Sequence, residues 1–258
     1  ALFLSLSLTA QTNTATWYLN DTSGSGIQSE FSNTASGNLS VAMGIGTTAS
    51  GRYSTAMGVE TTASGERSTA MGQQTEASGD MSTAMGRETS AYGNTSTAMG
   101  DGATAVGYAS TAIGYYSTAS GWASTAFGHY TTASGDNSVA IGNETTASDY
   151  NSLVLGQWNL LGSTVTNSAT DFSLENTAFV IGNGTNSTNK SDALTVLFDG
   201  TTTIAGDLNV NSDARLKSNI ISLGSTLSKL LQIDGKSYTM KKDESEKQKI
   251  GLLAQDIE

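Results

Sequence analysis

Residues 54–67, STAMGVETTASGER, and residues 68–81, STAMGQQTEASGDM, are consecutive copies of one 14-residue unit. The Ser that opens the unit recurs every 14 residues at Ser40, Ser54, Ser68, Ser82, Ser96, Ser110, Ser124, Ser138 and Ser152. A first Gly follows four places later, at Gly44, Gly58, Gly72, Gly86, Gly100, Gly114, Gly128, Gly142 and Gly156. A second Gly follows the first by seven places, at Gly51, Gly65, Gly79, Gly93, Gly107, Gly121 and Gly135, and is replaced at Asp149. Nine uninterrupted copies predict a repeat architecture.

A unit of 14 residues is too short for a pair of helices and fits two short strands joined by two tight turns. Because side chains alternate between the two faces of a strand, we expect the Ser, the Ala two places later and the first Gly to share one face. A second Ala column runs from Ala49 to Ala147 at the same period. All these residues are small, so the pattern predicts a flat solenoid with a very narrow interior.

The opposite face of the first strand carries a column of large apolar residues. Its members are Met43, Met57, Met71, Met85, Met99, Ile113, Phe127, Ile141 and Leu155. A narrow interior has no room for them, and a continuous apolar stripe of this kind marks an interface. Another segment of the same chain could cover the stripe, but the sequence offers no segment suited to it. We therefore expect self-association around an axis parallel to the solenoid, with three-fold closure.

The unit S-x-A-[MI]-G…A-x-G resembles the head repeats of trimeric autotransporter adhesins, the YadA-like heads, from about Gly37 to Gly156. The resemblance implies an all-β fold: a homotrimeric, left-handed parallel β-roll in which three chains bury the large apolar column at a common axis. We assign residues 38–156 to this head. At about 4.8 Å per coil, nine coils extend roughly 43 Å.

Composition excludes most enzyme chemistries. The chain has 258 residues with 29 Gly, no Pro, no Cys and a single His, His129. Without Cys there is no thiolate nucleophile or Cys-based zinc site, and one His leaves no His pair for a metal. We expect no metal and no cofactor.

Charge divides the chain near residue 211. Residues 212–258 hold 8 of the 12 Lys and Arg residues against 7 acids, whereas residues 1–211 hold 4 basic and 16 acidic residues. Such a break predicts a domain boundary. The acidic leading part argues against nucleic acid as a partner, because phosphate binding requires a basic surface.

The two segments that flank the repeats carry weaker signals. Residues 1–10, ALFLSLSLTA, resemble the apolar region and cleavage site of a secretory signal, and a buried first strand is the alternative. We assign residues 11–37 to an N-terminal β cap and residues 157–211 to a β-rich neck, in which Asp199-Gly200 predicts a hairpin. No stretch is long and apolar enough to span a membrane. The expected location is extracellular or on a bacterial cell surface, with a virion tail as the alternative.

Aromatic residues crowd the later repeats. Exposed Tyr and Trp make good contact residues, because they combine a rigid apolar ring with a polar tip. They predict an adhesive patch for a host or environmental glycan or matrix, and the alternative is that these rings cover neighbouring coils. The residues of this patch are Tyr108, Tyr115, Tyr116, Trp122 and Tyr130.

The segment from Ser212 to Glu258 differs in texture from the repeats. By itself, Ser212-Asp213 reads as a helix N-cap, Arg215 and Lys217 as a solvated face, and the Leu residues at 227, 230 and 231 as helical spacing. The pattern S-D-x-R-L-K from Ser212 to Lys217, followed by Gly251-Leu252-Leu253-Ala254-Gln255, also resembles the intramolecular chaperone domain that ends endosialidase tailspikes. We assign residues 212–258 to the leading α+β part of such a domain.

That resemblance implies a single cut in cis. In the family, the chaperone assists trimer folding and then releases itself before the Ser of the motif. Carried onto this chain, the scissile bond is Asn211–Ser212, Ser212 is the nucleophile and Lys217 its general base. A Lys can act as a base when burial lowers its pKa. The expected function is a secreted or surface-displayed trimeric adhesin with a self-cleaving chaperone, and the alternative is a phage-type tail fibre or tailspike component.

Overall fold

A computed structural model describes residues 17–19, 27–29, 32–163, 165–207, 236–238 and 249–251 of the chain, and strands and turns, but no helix, occur among them. By the density of its internal contacts, the chain divides into two compact units, Ala1–Leu208 and Asn209–Glu258.

Each coil of the repeat region contributes one long and one short strand. The long strands are β3 (Val41–Ile45), β5 (Thr55–Val59), β7 (Thr69–Gln73), β9 (Thr83–Arg87), β11 (Thr97–Asp101), β13 (Thr111–Tyr115), β15 (Thr125–His129), β17 (Val139–Asn143) and β19 (Leu153–Gln157). The short strands are β4 (Thr48–Ala49), β6 (Thr62–Ala63), β8 (Glu76–Ala77), β10 (Ser90–Ala91), β12 (Thr104–Ala105), β14 (Thr118–Ala119), β16 (Thr132–Ala133) and β18 (Thr146–Ala147). Within the roll, the long strands form one sheet and the short strands another, and all pairs are parallel, which confirms the predicted all-β solenoid.

Successive coils stack in a register of one repeat. In the long-strand sheet, Met57 of β5 lies opposite Met71 of β7, and the two first-Gly positions, Gly58 and Gly72, are likewise opposite each other. In the short-strand sheet, Ala91 lies opposite Ala105. Identical residues therefore form continuous columns along the roll.

The interior is made of small side chains, as predicted. Every Ala of both columns, from Ala42 to Ala147, is fully buried, and the column of opening Ser residues is buried with them. A third buried column, which the alternation did not identify, begins at Thr47 and continues through Thr61. At the end of the roll Val154 and Val180 occupy the first Ala column, so the interior widens there.

The placement of the first Gly column on the inner face was wrong. Gly72 and Gly86 are exposed, and their φ angles are +125°. A Cβ at Gly72 would lie 1.9 Å from the carbonyl oxygen of Gly86 in the next coil. The Gly is required because the backbone adopts a positive φ within the strand while adjacent coils are in close contact.

Both turns of a coil use residues other than Gly in the left-handed region. In the turn before the long strand, Ala109 has φ +55° and Ala123 has φ +51°. In the turn after it, Gln74 has φ +54° and Tyr130 has φ +51°. Each of these residues bears a conformational cost of about 1 kcal/mol, which the stacked coils offset.

Further strands extend the long-strand sheet at both ends. Before the roll, β1 (Trp17–Leu19) pairs antiparallel with β2 (Ile27–Ser29), and β2 pairs parallel with β3. After it, β20 (Thr177–Asn183) continues the parallel stack on β19, and β21 (Asp192–Leu197) and β22 (Thr202–Ile204) add antiparallel. The hairpin predicted at Asp199-Gly200 is confirmed, with φ +86° at Gly200.

In the second unit, the described residues form one antiparallel pair, β23 (Lys236–Tyr238) with β24 (Lys249–Gly251). The helix predicted around residues 222–231 and the leader predicted at residues 1–10 both lie outside the described residues.

Candidate functional site

The predicted apolar column forms one straight stripe on the outer face of the long-strand sheet. Met43, Met57, Met71, Met85, Met99, Ile113, Phe127, Ile141 and Leu155 occupy the central position of their strands and pair in register from coil to coil. In the single chain none of them is buried, and Phe127 is 50% exposed. The stripe is therefore a continuous apolar surface open to solvent.

The stripe continues beyond the repeats. Leu155 of β19 lies opposite Ile181 of β20, which lies opposite Leu194 of β21, which lies opposite Ile204 of β22. Ile181 and Ile204 are 37% and 43% exposed. The same apolar surface thus extends over three strands whose sequence no longer follows the repeat.

A first group of rings lies at the last residue of the long strand and in the turn that follows it, at the edge we call the end edge. Tyr115 stacks on His129, with ring centroids 5.1 Å apart, and Tyr116 stacks on Tyr130 at 5.5 Å. Edge-to-face contacts join the two stacks, with Tyr115 and Tyr116 centroids 4.7 Å apart. The ring of Tyr116 lies against Gly102, where a Cβ would be 2.8 Å from Tyr116 Cε1. Desolvation, and then Tyr115, raise the pKa of Tyr130.

A second group lies in the turn that precedes the long strand, at the start edge. The rings of Tyr108 and Trp122 are parallel within 5°, with centroids 6.1 Å apart. The backbone N–H of Trp122 donates to Asp136 Oδ1 at 2.7 Å, which ties this turn to the next coil. Both rings are more than half exposed.

The five residues of the predicted patch therefore do not form one surface within a chain. Tyr108 lies three residues before β13 and Tyr115 is the last residue of that strand, so the five-residue width of the sheet separates them. At 3.3 Å per residue this separation is about 17 Å. The ring stacking also shows that neighbouring coils cover these aromatics in part.

Polar ladders flank the aromatic stacks on the end edge. Arg87 donates to Asp101 Oδ2, and this hydrogen bond and charge raise the pKa of Arg87. On the far side His129 Nδ1 lies 2.8 Å from Asn143 Oδ1. The two ladders give the end edge hydrogen-bonding groups on either side of its rings.

Two Asn side chains close the open ends of the solenoid. Asn33 Oδ1 accepts from the backbone N–H of Thr47 at 2.9 Å, and its Nδ2 donates to the carbonyl of Gly44 at 2.7 Å. At the other end, Asn159 Oδ1 accepts from the N–H of Thr146 at 2.8 Å, while its Nδ2 donates to the carbonyl of Thr146 at 2.9 Å. The Asn159 amide thus replaces the backbone of a further coil and protects an edge of the short-strand sheet. At the first end, the backbone of Thr34 still pairs with Thr48, and the Asn33 amide bonds the chain beneath it.

A third capping group is Asp149, which interrupts the second Gly column. Its side chain is fully buried, and Oδ2 accepts from the backbone N–H groups of Ser163 and Thr177, both at 2.8 Å. The departure from Gly therefore fixes the segment that crosses the end of the roll.

A shallow depression of about 310 Å³ opens beside the last coil, lined by Leu160, Leu161, Val180, Leu197 and Asp192 among others. Asp192 Oδ1 accepts from the N–H of Leu160 at 2.9 Å, and desolvation raises the pKa of Asp192. The depression has a single carboxylate and no residue pair suited to acid–base catalysis among those that line it.

The predicted cleavage residues Asn211, Ser212 and Lys217 lie outside the described residues. Across the part of the chain that the structure describes, no three His, Cys, Asp or Glu side chains gather in a group that could hold a metal ion. No helix of the described residues is long and apolar enough to cross a membrane.

Coils stacked in register and an interior of Ala, Ser and Thr define a parallel β-solenoid, and its long-strand sheet carries an open apolar stripe. In a comparison with protein families, residues 35–157 match the YadA head domain repeat in nine overlapping windows. Residues 212–258 match the chaperone of endosialidase. The chain is thus built of YadA head repeats followed by an endosialidase-type chaperone, in the predicted order. No curated protein matches the chain.

The YadA head family is trimeric. The two families together indicate a trimeric, adhesin- or fibre-like protein.

Proposed function

We propose that this protein is a secreted or cell-surface homotrimeric adhesin. Its C-terminal chaperone directs trimerisation and then cleaves itself off between Asn211 and Ser212. The observation that carries the proposal is the open apolar stripe of the long-strand sheet. Exposing nine in-register apolar side chains to water is energetically unfavourable, and partner chains would bury them. The trimeric nature of the YadA head family supports three as the number.

Oligomeric state tests the stripe directly. Light scattering of the purified chain should return the mass of a trimer. Replacing Met71 and Met85 by Asp should abolish the trimer, because each charge would be buried without a partner. Thr62→Asp, on the outer face of the short-strand sheet and opposite Glu76 of the next coil, is the matched control and should leave the trimer intact. A folded wild-type monomer would contradict the proposal.

The chaperone has a physical role in this assembly. A parallel solenoid with a small interior folds through non-local pairings and exposes its edges until its partners arrive. A trimerisation domain at the carboxyl end raises the local concentration of the three heads. The match of residues 212–258 to the endosialidase chaperone supports this role.

Self-cleavage has its own test. In the proposed reaction, the Ser212 hydroxyl attacks the carbonyl carbon of Asn211 and Lys217 accepts the hydroxyl proton. The Asn211–Ser212 amide bond then breaks as Lys217 returns the proton to the Ser212 nitrogen, and water hydrolyses the resulting ester to a free Asn211 carboxylate and a free Ser212 hydroxyl. The full-length chain should then yield two fragments whose masses locate the cut at Asn211–Ser212. Ser212→Ala should stay intact and still be a trimer. A wild-type chain that remains as intact as this variant would refute self-cleavage and leave the trimer proposal standing.

Adhesion is assigned to the exposed rings of the head. Tyr108 and Trp122 on the start edge, and Tyr115, Tyr116 and Tyr130 on the end edge, offer flat apolar faces beside hydrogen-bonding groups, a combination suited to a glycan or matrix surface. A glycan and matrix array with the trimeric head tests this. Trp122→Ala should lose binding that Tyr53→Ala retains, since Tyr53 is held under Arg52 and Arg67 in a different coil. Equal binding by both variants would exclude the aromatic groups.

A further inference from the structure

The start edge and the end edge of the long-strand sheet are aromatic in the same coils. In the coil of β13, Tyr108 lies on the start edge, and Tyr115 and Tyr116 lie on the end edge. In the coil of β15, Trp122 lies on the start edge and Tyr130 on the end edge. A five-residue strand separates the two edges in each coil, so the rings of one edge cannot reach those of the other within the chain.

The match of residue types between the two edges extends to other coils. The matched pairs are Leu39 and Ile45 in the coil of β3, Arg52 and Glu60 in the coil of β5, Asp80 and Arg87 in the coil of β9, and Tyr150 and Trp158 in the coil of β19. In these pairs, apolar residues face apolar residues and opposite charges face each other across the width of the sheet. The coils of β7 and β11 present polar residues on both edges. The coils of β9 and β17 also have an acid on each edge, Asp80 with Glu88 and Asp136 with Glu144. Each of the two Asp side chains already accepts a hydrogen bond from a backbone N–H of the preceding coil, that of Glu66 or that of Trp122.

Three-fold closure brings these edges together between chains. Rotation about an axis parallel to the roll leaves the height of every coil unchanged, so the end edge of one protomer meets the start edge of the next at the same coil. Three sheets about 17 Å wide enclose a triangular prism whose axis lies about 5 Å from each sheet. A Met side chain is about as long as this distance, so the side chains of the stripe fill the interior of the prism. The start and end edges of neighbouring sheets then meet at its three corners.

We propose that the two edges join coil by coil between neighbouring protomers, and that the matched residues are the contacts of this seam. Tyr108 and Trp122 of one protomer then complete an aromatic cluster with Tyr115 and Tyr130 of the partner subunit, three times around the fibre. The five residues that are divided within a chain become one surface between two chains. This inference rests on the trimer of the proposed function.

Cysteine cross-linking tests the seam, because the natural chain has no Cys. Tyr108→Cys with Tyr115→Cys places two thiols on opposite ends of β13, far beyond the Cα separation of about 7 Å that a disulfide tolerates within a chain. Oxidation, or a short bifunctional maleimide, should convert the protein to a covalent trimer that a non-reducing gel resolves. The matched control is Tyr108→Cys with Asn143→Cys, which moves the second thiol two coils, about 10 Å, along the axis. The control should remain monomeric on the gel.

The outcomes separate the seam from the trimer itself. A trimer in light scattering with no covalent product from the matched pair, or with equal product from the control pair, overturns the seam and leaves the trimer intact. The absence of a trimer overturns the proposed function as well.

A charge exchange covers the case in which the Cys variants fail to fold. Arg52→Glu should lower the melting temperature of the trimer, and adding Glu60→Arg should restore it. Failure of the second substitution to rescue the first would also overturn the seam.

Discussion

Asn159 caps the last coil, and its replacement by Leu should fray the roll from that end. The side chain is 1% exposed, and its amide satisfies both backbone groups of Thr146 at the final edge of the short-strand sheet. Leu has a similar volume but no polar atom, so Thr146 N–H and C=O lose their partners. An orphaned buried polar group costs about 1–3 kcal/mol. Thr146 itself is half-buried, which favours the lower values, so the two groups together should cost about 2–4 kcal/mol.

Hydrogen exchange is the sharpest assay of this effect, because it reports position along the roll. Coils of a solenoid contact only their neighbours, so the loss should be local. The amide of Thr146 and those of β17 should exchange faster in Asn159→Leu, while those of β5 should not change. Urea unfolding at a fixed protein concentration should give a lower midpoint, since the trimer links stability to concentration.

Two further variants test whether the hydrogen bonds of Asn159 cause this effect. Asn159→Asp keeps the acceptor for Thr146 N–H and loses the donor to the carbonyl, so its exchange should fall between wild type and Leu. Asn143→Leu removes only an exposed hydrogen bond to His129 and should leave the midpoint within about 0.5 kcal/mol. Unchanged protection at Thr146 in Asn159→Leu would refute the capping role.

Three other substitutions test the turns, the interior and the neck. Ala123→Gly should stabilise the fold by about 1 kcal/mol in urea unfolding, because φ +51° strains Ala, and a destabilised variant would contradict the strain. Ala98→Val should destabilise the fold by about 1–3 kcal/mol through overpacking of a fully buried position, whereas Thr97→Val on the outer face should not. Equal urea midpoints for the two variants would mean that the interior has room for the larger side chain. Desolvation raises the pKa of Asp192 in the folded state above its ordinary value of 3.8, so the folded state binds more protons than the unfolded state. The contribution of Asp192 to the free energy of unfolding therefore falls as pH rises from 3.8 through the raised pKa. Asp192→Asn should remove this pH dependence from unfolding midpoints measured across the same pH range. An unchanged pH dependence would mean that another group causes it.

The repeat made most of the fold predictable, because one 14-residue register determines strand length, pairing and facing for every coil. Ala84 and Met85, for example, are neighbours in one coil, and the alternation of side chains along the strand by itself places Ala84 inside and Met85 outside. The same holds for the corresponding positions of the other coils. The two Asn caps could have been found in the same way, since Asn33 and Asn159 lie one repeat before Thr47 and one repeat after Thr145. Extending the Thr column in both directions marks them as the points where the repeat ends.

The errors arose where backbone conformation overrides alternation. Gly72 was expected inside because it lies two residues after Ala70, but its φ of +125° breaks the alternation and leaves it exposed. The aromatic patch was predicted because aromatic residues crowd the later repeats, and strand β13 divides its residues between the two edges of the sheet. Tyr108 and Tyr115 are close in the sequence, but a strand holds them apart. Tyr116 and Tyr130 are a full repeat apart in the sequence, but they lie in adjacent coils and their rings stack directly.

The identical interior of successive coils also bears on how such a protein changes its length. Duplication or loss of one repeat in the coding sequence would add or remove a whole coil, with Ala on Ala and Ser on Ser at the new junction. Fibre length can therefore vary in steps of about 4.8 Å without any compensating substitution in the core. The cap residues stay at the ends through every such event, because Asn33 and Asn159 lie outside the part that is copied.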